Sequence, residues 1–278
     1  MNDNINSDYL YHYTSVDILA LILKNRTFRL NPLDKLDDLQ EQKTADVKNL
    51  GKFVFVSSWT DDSEENIPMW KMYTNPSAGV RIKLRKNPFV YHGTSGSDFT
   101  AKMGIKMADG GLPKDTVNTF ANIADFLSKG YFFDQAWGGD ILRQVIYTDD
   151  KSLLEPKVLN TNDGKIDLQL GKLGIHKSKY WEFQKEWRYV LRTIPFSFDG
   201  GIDKAIETFS IIATKMALGI QPPPFSYYNL DIDPDAFSEM EITSSPQISA
   251  GNKVVLDALV ERFNPNATVK ESDLAGKL

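Results

Sequence analysis

The 278-residue chain contains no cysteine. That absence excludes a disulfide scaffold, a thiolate nucleophile, a Cys-ligated zinc and an iron–sulfur cluster, and leaves stability to packing. Long apolar runs are also missing. Ile18–Leu23 and Phe209–Ile220, the latter interrupted by Lys215, fall short of the roughly 20 residues of a membrane span, so no membrane association is expected. Met1–Asp8 is polar and lacks the basic start and apolar stretch of a secretory signal, which predicts a short disordered arm over 1–8 and a cytoplasmic protein. Nor is charge of one sign in excess: 32 Lys+Arg against 37 Asp+Glu leave a net charge of −5, with no overall field for nucleic acid.

Several site motifs fail on single residues. His-Glu-x-x-His and Gly-Lys-Ser/Thr are absent, and Gly93-Thr94-Ser95-Gly96-Ser97 misses a nucleophile elbow because Ser97 stands where the last glycine belongs. Asp231-x-Asp233-x-Asp235 begins like a calcium loop, but Ala236 replaces the glycine and Ile242 the bidentate glutamate. No metal is expected.

What is present is an ordinary globular composition, 41% hydrophobic and 25% charged. Length alone allows one elaborated domain or two small ones. Tyr9–Tyr13 reads as a strand feeding a helix capped by Thr14 or Ser15, with Ile18, Leu19, Ile22 and Leu23 as its apolar stripe and Thr27–Leu30 as the next strand. Asp34–Lys48 suits a solvated helix, Phe53–Trp59 a buried strand, and Asn66 caps a helix that carries Pro68, Trp70 and Tyr73. Strands follow at Gly79–Leu84, Arg143–Tyr147, Trp181–Arg192 and Glu239–Thr243, an edge strand at Ala267–Glu271, and helices at Thr116–Lys129, Ile202–Met216 and Asn252–Phe263. This mixture without regular βαβ alternation predicts an α+β fold: one domain over 9–275, with a loop and helix insertion near 92–140.

Three polar elements stand out. Alternation puts His12 on the face of Leu10, at a strand end just before a helix, where it faces either the core or a cavity. Alternation likewise puts Glu182, Gln184, Glu186, Arg188 and Arg192 on one strand face, which is either a solvated outer face or a carboxylate-lined cleft. Trp70 and Tyr73 are either core or a stacking platform. Each segment alone leaves both readings open.

Together, His12-Tyr13-Thr14-Ser15 before an Ile-Leu-Lys-Asn helix, Ser57-Ser58-Trp59 with Met69-Trp70-x-x-Tyr73, Glu186-Trp187-Arg188 and a closing Val269-Lys270-Glu271-Ser272 resemble a bacterial family of uncharacterised domains over most of residues 9–275. The order of His12, Tyr73 and Gln184-x-Glu186 is similar to the His-Tyr-Glu branch of the ADP-ribosyltransferase superfamily. Asp37-Asp38-Leu39-Gln40-Glu41 departs from the Asn-Asp-Pro turn of that pattern.

The resemblance implies a split mixed β-sheet flanked by helices, with NAD as substrate in its cleft. Glu186 would bind the nicotinamide ribose and stabilise the cation formed as the glycosidic bond breaks, His12 would bind a ribose hydroxyl, and Tyr73 would stack on nicotinamide, with Trp70 as a substitute. Thr14, Ser57 and Ser58 would line the cleft, Arg29 would meet a phosphate, and Gln184 would select the acceptor, which is a protein, a nucleic acid or water. Arg188, on the face of Glu186, would hold that carboxylate or meet NAD. Arg81, Lys83 and Arg85, and Lys177 with Lys179, are candidate basic patches. The implied role is a toxin or phage-defence effector. The alternatives are a non-catalytic nucleotide-sensing or protein-interaction module, and an α+β domain with no NAD site.

Overall fold

The computed structural model describes residues 8–95, 116–134, 140–162, 165–195, 208 and 211–278. Most of the arm expected over 1–8, much of the 92–140 insertion and most of the helix expected over Ile202–Met216 lie outside these residues; residues 211–217 are helical. The fold is α+β. Ten strands form one mixed sheet: β1 (Tyr9–Ser15), β2 (Thr27–Pro32), β3 (Val54–Thr60), β4 (Gly79–Arg85), β5 (Tyr131–Phe133), β6 (Leu142–Gln144), β7 (Glu186–Pro195), β8 (Tyr228–Asp231), β9 (Glu241–Ser244) and β10 (Thr268–Lys270). Their order is β8-β2-β3-β1-β4-β9-β10, with β7 on β3 and β5 and β6 on β7. Only β9 and β10 run parallel within it.

The sheet is pinched at its centre. β1 pairs with β4 from Tyr9 to Ser15, and β3 pairs with β7 from Val54 to Thr60, whereas β1 meets β3 only at Tyr11 opposite Thr60. His12 and Ser58 lie just beyond that point, one on each half.

Helix α1 (Val16–Asn25) buries Val16, Leu19, Ile22 and Leu23 and stops at Arg26, whose left-handed φ of 55° lets its N–H reach the Ile22 carbonyl. Helix α2 (Ile67–Tyr73) begins at Asn66, whose side chain accepts the Met69 N–H. The long helix Ala250–Phe263 packs beside α1. Phe28, Phe55, Leu10, Leu19, Leu23 and Tyr189 are fully buried in the core between these layers. Among the described residues no helix is long and apolar enough to cross a membrane.

Four expectations are corrected. Residues 34–48 form a 3₁₀ turn at Leu33–Lys35 and then turns rather than a helix; Asp46 accepts the Val158 and Leu159 N–H groups, and Val47 and Leu50 are buried. Thr116–Lys129 splits into a strand at Thr116–Thr119 and a short helix at Ile123–Leu127, because the Asn122 side chain caps at Ala124 and the β-branched residues before it favour extension. Arg143–Tyr147 is likewise two pieces, β6 and a strand at Ile146–Thr148 paired with His176–Ser178. The strand expected from Trp181 starts at Glu186; before it, Lys179–Gln184 is a 3₁₀ helix closed by Lys185 at φ 44°. That left-handed residue interrupts the alternation, so Gln184 shares no strand face with Glu186.

Candidate functional site

A cleft of about 110 Å³ opens where the two halves of the sheet meet. Its walls are aromatic: Tyr11, Tyr13, Trp59, Tyr73 and Trp181, with His12, Leu36 and Met69. Glu41, Lys177, Gln184, Glu186 and Arg188 also line it, and Asp37 and Asp38 belong to its rim. A wider adjoining groove shares His12, Ser58, Tyr73 and Asp37 and continues along Thr14, Arg29, Ser57, Lys35 and Asn229.

The charged face of β7 is buried, contrary to a solvated outer face. Arg188 has no exposed surface, and its guanidinium is held between two carboxylates. Nε lies 2.6 Å from Glu186 Oε1 and Nη2 3.0 Å from Glu186 Oε2; Nη2 also lies 2.9 Å from Glu41 Oε1, and Nη1 donates to Glu41 Oε2. Lys177 closes the ring, with Nζ 3.0 Å from Glu186 Oε2, 3.2 Å from Glu41 Oε1 and 2.8 Å from Gln184 Oε1. Lys177 also lies 4.7 Å from the centre of the Trp181 ring. The two anions and two cations cancel.

The backbone of Glu186 is fixed on both sides: its N–H donates to the Tyr147 hydroxyl at 2.8 Å and its carbonyl accepts from Val145 at 2.9 Å. Burial pushes its carboxyl pKa upward, but the cations of Arg188 and Lys177, with a hydrogen bond from the Ser58 side chain, hold it below the usual carboxylate range. Glu186 is therefore ionised at neutral pH. The same carboxylates raise the pKa of Arg188 against its burial.

His12 packs edge-on to Phe28 and beside Trp59, and its Nδ1 lies 2.8 Å from the Ser58 carbonyl. A carbonyl only accepts, so Nδ1 carries the proton and Nε2 of the neutral ring is an acceptor. Burial lowers the His12 pKa, opposed by the Ser58 hydrogen bond. Tyr73, at the end of α2, accepts a hydrogen bond from Gln184 Nε2 through its hydroxyl. Burial and the nearby Glu186, Asp37 and Glu41 carboxylates raise its pKa, so it stays a phenol.

Of the residues singled out from sequence, His12, Ser58, Tyr73, Gln184 and Glu186 converge on the cleft. Gln184 reaches it from the 3₁₀ helix, not from the strand. Thr14, Arg29 and Ser57 lie in the adjoining groove, where the Arg29 guanidinium sits 3.7 Å over the Tyr227 ring and the Ser57 hydroxyl accepts from Trp59 Nε1 at 3.1 Å. Trp70 does not reach the cleft. It is buried in a separate cluster with Tyr13 and Met69, and its Nε1 donates to Glu65 at 2.8 Å.

Glu41, Lys177 and Trp181 had not been read as site residues. Glu41 lies in the segment expected to be a solvated helix, and no sequence signal marks it; Trp181 opens the expected strand Trp181–Arg192 outside the polar face that Glu182, Gln184 and Glu186 share. Arg188, by contrast, holds Glu186 in the ion pair anticipated for it. All but one of the cations in the two basic patches are ion-paired: Lys83 with Glu241, Arg85 with Asp233 and Glu239, Lys177 as above, and Lys179 with Asp149. Arg81 is buried over Tyr11 and Tyr13. Asp233, from the calcium-like run, caps the helix Pro234–Ser238.

In comparisons with known proteins, no family model, no curated protein and no solved structure matches the chain.

Proposed function

We propose that the cleft binds NAD and breaks its nicotinamide–ribose bond, making the protein an NAD-dependent ADP-ribosyltransferase or NAD glycohydrolase of bacterial type on an ADP-ribosyltransferase-like split sheet. The observation that carries this reading is the convergence of His12 from β1, Tyr73 from α2 and Glu186 from β7 on one aromatic-walled cleft. A positively charged pyridinium ring suits aromatic walls and a fixed carboxylate. His12 Nε2 accepts from a ribose hydroxyl and Tyr73 stacks on nicotinamide. Asp38 Oδ2, a buried oxygen without a partner, is a further acceptor for a hydroxyl.

In the reaction the C1′–N bond breaks and its electron pair stays on the ring nitrogen, which leaves as neutral nicotinamide. Positive charge grows on the ribose, and a fixed negative charge at Glu186 stabilises it. The acceptor nucleophile bonds to C1′ and loses its proton to solvent. Arg29 and Lys35 of the adjoining groove face the pyrophosphate. The pairing of Lys83, Arg85 and Lys179 with acids, and the burial of Arg81, favour a protein acceptor or water over nucleic acid. A role as a toxin or phage-defence effector rests on the family resemblance alone.

One observation favours a second reading, a non-catalytic nucleotide-sensing module: both Glu186 oxygens are already bonded to cations. Incubation with NAD labelled in its adenylate half separates the two. Catalysis gives free nicotinamide from the wild type and none from Glu186→Gln, with label passing to protein in a lysate or to free ADP-ribose; a sensor gives binding without release in either.

A further inference from the structure

Resting on the NAD reading above, we infer that Glu41 and Lys177 are positioning residues that set the charge felt at Glu186, so that the preference of the cleft for a cationic ring follows the net charge of the four-ion cluster. Stability gives no reason for such a cluster. Buried ions can be replaced by apolar residues of similar volume at little or no cost, so four of them in one desolvated site call for another explanation.

The geometry supplies one. Glu186 lines the cleft, yet each of its oxygens meets a cation, which by itself would cancel the negative charge that a pyridinium or a ribosyl cation needs. Glu41 contacts the same two cations, with Arg188 bidentate between the carboxylates and Lys177 bridging them. Each cation is thus shared, and Glu186 keeps part of its charge for the cleft. Without Glu41 the cluster carries +1, and both cations act on Glu186 alone. Without Lys177 it carries −1, and Glu186 Oε2 loses its nearest ammonium. Changing both restores neutrality.

Full-length wild type, Glu41→Gln, Lys177→Met and the double variant are compared by calorimetric titration with the 1-methylnicotinamide cation and with neutral nicotinamide, after circular dichroism confirms folding. The cation is expected to bind about tenfold more weakly to Glu41→Gln, about tenfold more tightly to Lys177→Met, and near the wild-type value to the double variant, while neutral nicotinamide binds all four alike. Nicotinamide release from NAD is expected to follow the same order in kcat/KM, and recovery in the double variant is a response that structural damage does not give. If Glu41→Gln fails to fold, tighter binding of the cation with unchanged binding of neutral nicotinamide in Lys177→Met decides the matter. Equal shifts for both probes, no shift for either, no binding of the cation to the wild type, or a double variant worse than either single one would overturn the inference. Cation binding that follows charge in a protein that releases no nicotinamide would support it and overturn the catalytic reading alone.

Discussion

Replacing Arg188 with Met tests the electrostatic account of the site through stability. Arg188 has no exposed surface and donates to all four oxygens of Glu41 and Glu186. Its removal leaves two buried carboxylates with only Lys177 between them. Charge-assisted hydrogen bonds contribute about 1.5–3 kcal/mol each but are not additive here, and removing one partner of a buried pair costs about 3–5 kcal/mol. For a chain of this size that lowers Tm by about 10 °C.

The pH dependence carries the sign. In the wild type the pKa of Glu186 is depressed in the fold, so its contribution is full above the unfolded carboxylate value of about 4.3 and is lost as pH falls toward the folded value. In Arg188→Met, burial acts with only Lys177 and the Ser58 hydrogen bond left to oppose it. The folded carboxyl pKa rises above the unfolded one, so the variant loses stability as pH rises and regains it in acid. Thermal melts at about pH 7.5 and about pH 5 should show a gap to wild type that shrinks in acid. A loss under about 2 °C, or a gap that is the same at both pH values, would refute the reasoning.

Variants at three further positions separate the cleft from its supports. Asn66→Ala loses the cap at Met69 and the 3.1 Å bond to the Phe183 carbonyl; melts should show a loss of about 1–2 kcal/mol, and titration should show weaker NAD binding because α2 carries Tyr73. Tyr73→Phe keeps the stacking surface and loses the Gln184 contact, so NAD affinity should stay within about threefold, whereas Tyr73→Ala should lose about tenfold or more. Trp70→Phe loses the bond to Glu65 and should reduce stability by about 1 kcal/mol while NAD affinity is unchanged; a large affinity loss would bring Trp70 back into the site.

The elements that sequence made legible carry local signals. The β1–α1–β2 unit, β3, α2 with its Asn66 cap, β4 and the last helix follow from apolar stripes, caps and alternation. His12, Tyr73 and Glu186 could be picked out from their residue types and their order along the chain. The failures have equally local causes. Lys185 in a left-handed conformation converts the start of an expected strand into a 3₁₀ helix, which periodicity cannot foresee. Glu41 takes its meaning from Arg188, 147 residues away, so in sequence it reads as one more acid in a polar stretch. Trp70 and Tyr73 lie three apart on a single short helix and share one cluster with Tyr13, yet only Tyr73 reaches the cleft.

The central claim is that this cleft binds NAD and that the ionised Glu186 drives loss of nicotinamide. Its most direct test is nicotinamide release at saturating NAD, measured alongside calorimetric NAD affinity, for the wild type and Glu186→Gln. The account predicts release by the wild type and a fall in kcat of about a hundredfold or more in the variant, larger than a loss of NAD affinity of about tenfold. Release that persists undiminished in Glu186→Gln, or a wild type that neither binds nor cleaves NAD, would contradict it.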